Sequence, residues 1–175
     1  MLIIFLILSF LIYPGEAFAR VTPNDIYQAK RAAFTQSLAK ISNPANKQAV
    51  EQADKLLNSI NQKVCLGFDV ETSRLAAILE EEKSRQNINK TIVAYGQGDT
   101  PMDQAAYYLN YAVEAVAYQK VQDYTPQIGG NLKLGLNSSV NNLKSDLKTT
   151  QGKILRAKLE IKKALDYYEV KRYEK

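Results

Sequence analysis

Few residues in this sequence are of a type that does chemistry. There is no His, and Cys65 is the lone Cys. A Cys/His zinc site, a c-type haem attachment and a Ser-His-Asp triad are therefore excluded. So is a di-iron bundle that needs Glu-x-x-His on two helices. Cys65 lies in the run Val64-Cys65-Leu66, where a buried small hydrophobe is the expectation. An intermolecular disulfide is the alternative, which an odd Cys in an exported chain permits. The acids do not converge. Glu80, Glu81 and Glu82 are consecutive, so on a helix they point to different sides and read as solvated surface. A hydrolytic pair such as Glu71 and Glu114 would need two carboxyls across a cleft, and nothing in the spacing demands one. Gly96-Gln97-Gly98-Asp99 before a helix start resembles a phosphate cradle. It lacks the third Gly and the Lys, and Asp99 stands where the anion would sit. Asp99 and Asp103 supply too few oxygens for calcium. The expectation is a non-enzyme with no cofactor, no metal and no evident small-molecule substrate.

Charge and tyrosine carry more information. Over 144–163, Lys144, Lys148, Lys153, Arg156, Lys158, Lys162 and Lys163 stand against only Asp146 and Glu160. Over 99–132, Lys120 stands against Asp99, Asp103, Glu114 and Asp123. The basic segment could bind a polyanion: nucleic acid, anionic lipid or a wall polymer. Its bases, however, spread around most of the exposed girth of a helix, and no aromatic residues interleave to stack bases. A solvated helix exterior fits the spacing better, with polyanion binding as the alternative. Of the 11 Tyr, five cluster over 107–124 and three near the end. Tyr107, Tyr111 and Tyr118 fall on or beside the polar side of their helix, and exposed Tyr is enriched at protein interfaces. They are candidate partner-binding residues.

The elements that must position these residues are helices. Thr22-Pro23-Asn24-Asp25 and Thr100-Pro101-Met102-Asp103 share one start pattern: a capping Thr, Pro at the first helical position, Asp in the first turn. Asn43-Pro44 is a third start, and Asp69 before Val70 a fourth. Apolar stripes predict helices near 24–41 (Ile26, Ala33, Phe34, Leu38, Ile41), 45–64 (Val50, Ala53, Leu56, Leu57, Ile60, Val64) and 70–87 (Leu75, Ile78, Leu79), the last two separated at Gly67. Residues 88–99 are a connection, with Thr91 to Tyr95 a candidate extended segment. The helix near 101–124 is apolar over most of its girth, which predicts the innermost position. Pro126 and Gly129-Gly130 end it. The last helix starts between Leu132 and Ser138 and carries a heptad: Val140, Leu147, Ile154, Ile161 and Tyr168 in one register, Leu136, Leu143, Thr150, Ala157 and Ala164 in the other. Its seam looks longer than the earlier helices can cover. That predicts a docking or self-association site centred on Ile154, Ile161, Leu165 and Tyr168.

Leu2 to Tyr13 is an apolar run, followed by Pro14-Gly15 and then Ala17-Phe18-Ala19. This reads as a secretory signal peptide, residues 1–19, cleaved before Arg20. A helix over that run would reach about 18 Å against a hydrocarbon core of about 30 Å, which disfavours an uncleaved anchor. The removed stretch carries Glu16 and no base, so the charge would rise from +5 to +6. Residues 20–175 then form one domain. The expected fold is an all-α bundle of four to five helices with a long coiled-coil-like C-terminal helix. The expected function is an exported, non-enzymatic structural or interaction protein of the cell envelope or extracellular space, with a protein partner or a second copy bound.

Overall fold

The computed structural model describes residues 23–88 and 100–173. The expected signal peptide, the extended segment at 91–95 and the Gly96–Asp99 loop lie outside them. Among the described residues there are four helices: α1 (Pro23–Ala39), α2 (Pro44–Arg85), α3 (Pro101–Lys120) and α4 (Leu132–Tyr173). The fold is an all-α bundle with a long C-terminal helix.

Local chemistry sets the ends. Asn43 accepts from the N–H of Ala45 (2.9 Å) and Asn46 (3.3 Å), with Pro44 in the first turn. Thr100 Oγ1 accepts from Asp103 N–H at 3.1 Å and donates to the Asp103 carboxylate at 2.6 Å. Asn131 Oδ1 accepts from Leu134 N–H at 3.2 Å and starts α4. Asn87 ends α2 in the left-handed region, φ 55°. Ile88 N–H then bonds Lys83 O at 2.9 Å and Asn87 N–H bonds Ser84 O at 3.2 Å, the Schellman pairing. Ile88 itself packs on the core.

Two expectations about helix boundaries are corrected. Gly67 does not divide α2, and Asp69 is not a start: the helix runs through both for 42 residues. The buried positions explain why. Val50, Asp54, Leu57, Asn61, Cys65, Thr72, Leu75, Leu79 and Glu82 follow each other at helical spacing across Gly67. Five of the nine are polar or thiol, so the stripe is hard to see as apolar periodicity. Leu56, Ile60 and Ile78, assigned to the stripe by sequence, are exposed. At the other end, α3 stops at Lys120 rather than near 124, and Tyr124 turns back into the core.

Leu57 shares a cluster with Leu143, and Glu71 meets Lys158 at 3.3 Å further along. α2 and α4 are therefore parallel. Thr150 reaches Gln119, while Arg156 lies over the Tyr108 ring, so α3 runs antiparallel to α4 and hence to α2. Each of these helices packs on the other two, and α3 is one corner of a shared core rather than a sheathed centre. Val113, on the helix expected innermost, is 45% exposed. Met102, Ala105, Ala106, Leu109, Ala112 and Val116 face Leu75 and Leu79 of α2 and Ile154, Ala157, Ile161 and Ala164 of α4. The alanines on α3 and α4 let the helices approach closely. Leu57, Tyr124 and Leu143 form a second, smaller cluster.

The seam of α4 is internal at its centre. Ile154 and Ile161 are 4% and 2% exposed, and Leu165 and Tyr168 are half-buried against the same cluster. The length argument for an uncovered seam fails because α2, at 42 residues and about 63 Å, is as long as α4. At the start of α4, Val140 is exposed and Ser139 takes the inward position, donating to Thr125 O at 3.3 Å.

Candidate functional site

A layer of polar side chains separates the two apolar clusters. Asn61 of α2 and Gln119 of α3 pair head to head. Gln119 Nε2 donates to Asn61 Oδ1 at 2.8 Å, and Asn61 Nδ2 donates to the Gln119 backbone carbonyl at 3.0 Å. Gln119 Nε2 also reaches Tyr124 OH at 2.7 Å, and Tyr124 OH donates to Asp146 Oδ2 at 2.8 Å. Thr150 closes the layer against Gln119 Oε1 at 3.5 Å. Burial pushes the Tyr124 phenol well above its ordinary range, and the Asp146 charge adds to this against the Gln119 hydrogen bond. Cys65 sits beside the layer, its Sγ 3.6 Å from Asn61 Oδ1. Burial pushes its thiol up, Asp69 adds to this and Lys120 opposes it. A thiol so placed is a poor nucleophile. The layer fixes which turns of the three helices meet, because a one-turn slip would strand buried amides.

A second polar cluster ties α1 down. Arg31 donates to both oxygens of Asp54 (2.9 and 2.8 Å) and to Asp123 Oδ1 at 2.9 Å, and lies over the Tyr27 ring. Burial opposes the Arg31 charge, but the hydrogen bonds to Asp54 and Tyr27 and the two carboxylates outweigh it and raise its pKa. Arg31 Nε and Asp123 Oδ2 are buried without a partner among the described residues. This cluster joins α1 to α2 and to the segment that follows α3.

The tyrosines of α3 form a surface instead. Tyr107 and Tyr111 stack, ring centroids 6.3 Å apart and planes 5° off parallel. Lys153 Nζ lies 4.4 Å from the Tyr111 centroid, and the Arg156 guanidinium 4.8 Å from that of Tyr108. Tyr118, two turns beyond Tyr111, is 69% exposed. Between them α3 presents Ala115 and α4 presents Thr149 and Thr150. These small side chains leave a groove of about 290 Å³ walled by Tyr111, Tyr118, Glu114, Asp146 and Lys153. Glu114 accepts from Asn110 at 2.9 Å.

No protein-family model, curated protein or solved structure matches this chain.

The geometry divides the residues expected to bind partners. Tyr107, Tyr111 and Tyr118 share one face of α3, whereas Ile154 and Ile161 belong to the core and Leu165 and Tyr168 to its margin. The basic residues of α4 are mostly engaged. Arg156 and Lys163 pair with Glu160, Lys158 with Glu71 and Lys162 with Asp166, while Lys153 covers Tyr111. Lys144 and Lys148, both exposed, are the two of the seven with no ion pair or ring contact among the described residues. Sequence reasoning missed the groove. Its floor depends on Ala115 and Thr150 facing each other, and no spacing along one helix gives that register. It also missed Asn61, although Asn61 lies seven residues from both Asp54 and Phe68 in the α2 seam. The acid run also splits: Glu80 and Glu81 pair with Lys83 and Arg85 at the surface, but Glu82 is buried.

Proposed function

We propose that the chain is an exported, non-enzymatic interaction protein of the cell envelope or extracellular space, binding a protein partner through the tyrosine face of α3. The observation that carries this reading is the row Tyr107, Tyr111 and Tyr118 beside a groove, on a bundle whose α4 seam is already filled. Aromatic side chains left at a surface bring large, rigid contact area at low entropic cost. Absence of His and a buried, poorly nucleophilic Cys65 support a role without catalysis. The apolar leader followed by Ala17-Phe18-Ala19 supports export. No helix of the described residues is long and apolar enough to cross a membrane.

The test is a pull-down with residues 20–175 from the envelope fraction of the source cells at low and high salt. The mature N-terminus of the native protein is read in the same preparation. A protein retained at both salts and lost on Tyr111→Ala/Tyr118→Ala, together with an N-terminus at Arg20, supports the proposal. Retention only of nucleic acid or anionic polymer, and only at low salt, overturns it in favour of polyanion binding by the basic helix.

A further inference from the structure

The groove between α3 and α4 has a composition at odds with the rest of the molecule. The chain carries +5 overall. The groove presents two carboxylates, Glu114 and Asp146, against one base, Lys153. Neither carboxylate has a salt bridge among the described residues, although ten such bridges form elsewhere in them. Asp146 is held in place by Tyr124 OH at 2.8 Å. Tyr118 projects over the same space, and its ring has no cation or aromatic partner among the described residues. One wall already shows what such a ring does here: Lys153 Nζ sits 4.4 Å from the centre of Tyr111.

Aromatic faces with nearby carboxylates bind monovalent organic cations, because the ring quadrupole and the negative charges act together. We infer that the groove bounded by Tyr118, Glu114 and Asp146 receives a basic side chain, a guanidinium or ammonium, from a partner protein. This deepens the reading of the α3 face as a partner surface and rests on it. Lys153 occupies the Tyr111 end, which leaves the Tyr118 end for the incoming cation. General electrostatic attraction is not an alternative source of binding, since the whole chain repels cations. The volume of about 290 Å³ suits one side chain rather than a folded element.

The experiment is an NMR titration of residues 20–175 with arginine blocked at both ends, beside equally blocked citrulline, its neutral isostere. Blocked arginine should shift the resonances of Tyr118, Glu114 and Thr149 saturably, and citrulline should not. Tyr118→Leu should weaken binding by about three- to fivefold, the size of one partly exposed cation–π contact. Glu114→Gln should weaken it and lower its salt sensitivity. Lys153→Met should strengthen it by removing the resident charge. Equal shifts with citrulline, no saturable shift, or weaker binding in Lys153→Met would each overturn the inference. Loss of an envelope partner on Tyr111→Ala/Tyr118→Ala with no response to blocked arginine would leave the partner face standing and remove the cation.

Discussion

At the scale of single residues, the molecule uses polar groups where apolar ones are the usual filling. Asn61, Gln119, Tyr124, Asp146 and Thr150 sit between two apolar clusters and satisfy one another. A buried amide left unpaired costs about 1–3 kcal/mol, so the layer penalises every alternative register. Two of its neighbours and members titrate on the alkaline side. Tyr124 and Cys65 both have folded-state pKa values raised by burial. The unfolded chain therefore loses those protons first, at about pH 8.5 for Cys and about pH 10 for Tyr. Stability should be fully present below those values and fall as pH rises through them toward the folded-state pKa values. Urea midpoints followed by circular dichroism should be level near neutrality and decline above about pH 9. The decline should be shallower in Tyr124→Phe/Cys65→Ala, and an identical slope would contradict this origin.

At the scale of elements, what was legible in the sequence was local and what was missed was relational. Thr100, Asn43 and the Pro that follows each were readable because a cap depends on a few neighbouring residues. The heptad centred on Ile154 and Ile161 was readable because most of it is apolar. The continuity of α2 was hidden because its inward positions include Asp54, Asn61, Thr72 and Glu82, whose partners come from other helices. Gly67 looked like a boundary for the same reason. A Cβ there would meet nothing within 4 Å, and the same holds at Gly152, whereas at Gly135 it would lie 1.9 Å from Gln127 O. The backbone of the α3–α4 connection crosses α4 at that point, and only glycine leaves room. Gly67→Ala and Gly152→Ala should each stabilise the fold by about 0.5–1 kcal/mol. Gly135→Ala should cost about 1–3 kcal/mol. Denaturant midpoints check both signs, and stabilisation by Gly135→Ala would contradict the close approach.

At the scale of the whole molecule, two parallel helices of equal length pack against a shorter antiparallel one, and that equality covers the centre of the α4 seam. A seam matched along its length by α2 becomes core, so the outward chemistry falls to α3: its tyrosines, and the groove its small residues open against α4. The basic charge of α4 over 144–163 is largely neutralised by neighbouring acids or laid over rings, leaving Lys144 and Lys148 as the free cations of that segment among the described residues. The most direct measurement compares two double variants in retention of the envelope partner at high salt, Tyr111→Ala/Tyr118→Ala and Lys144→Gln/Lys148→Gln. All four positions are largely exposed, so both should fold as the parent does. The tyrosine variant should lose the partner and the lysine variant should keep it. Retention by the tyrosine variant and loss by the lysine variant would contradict a partner face on α3.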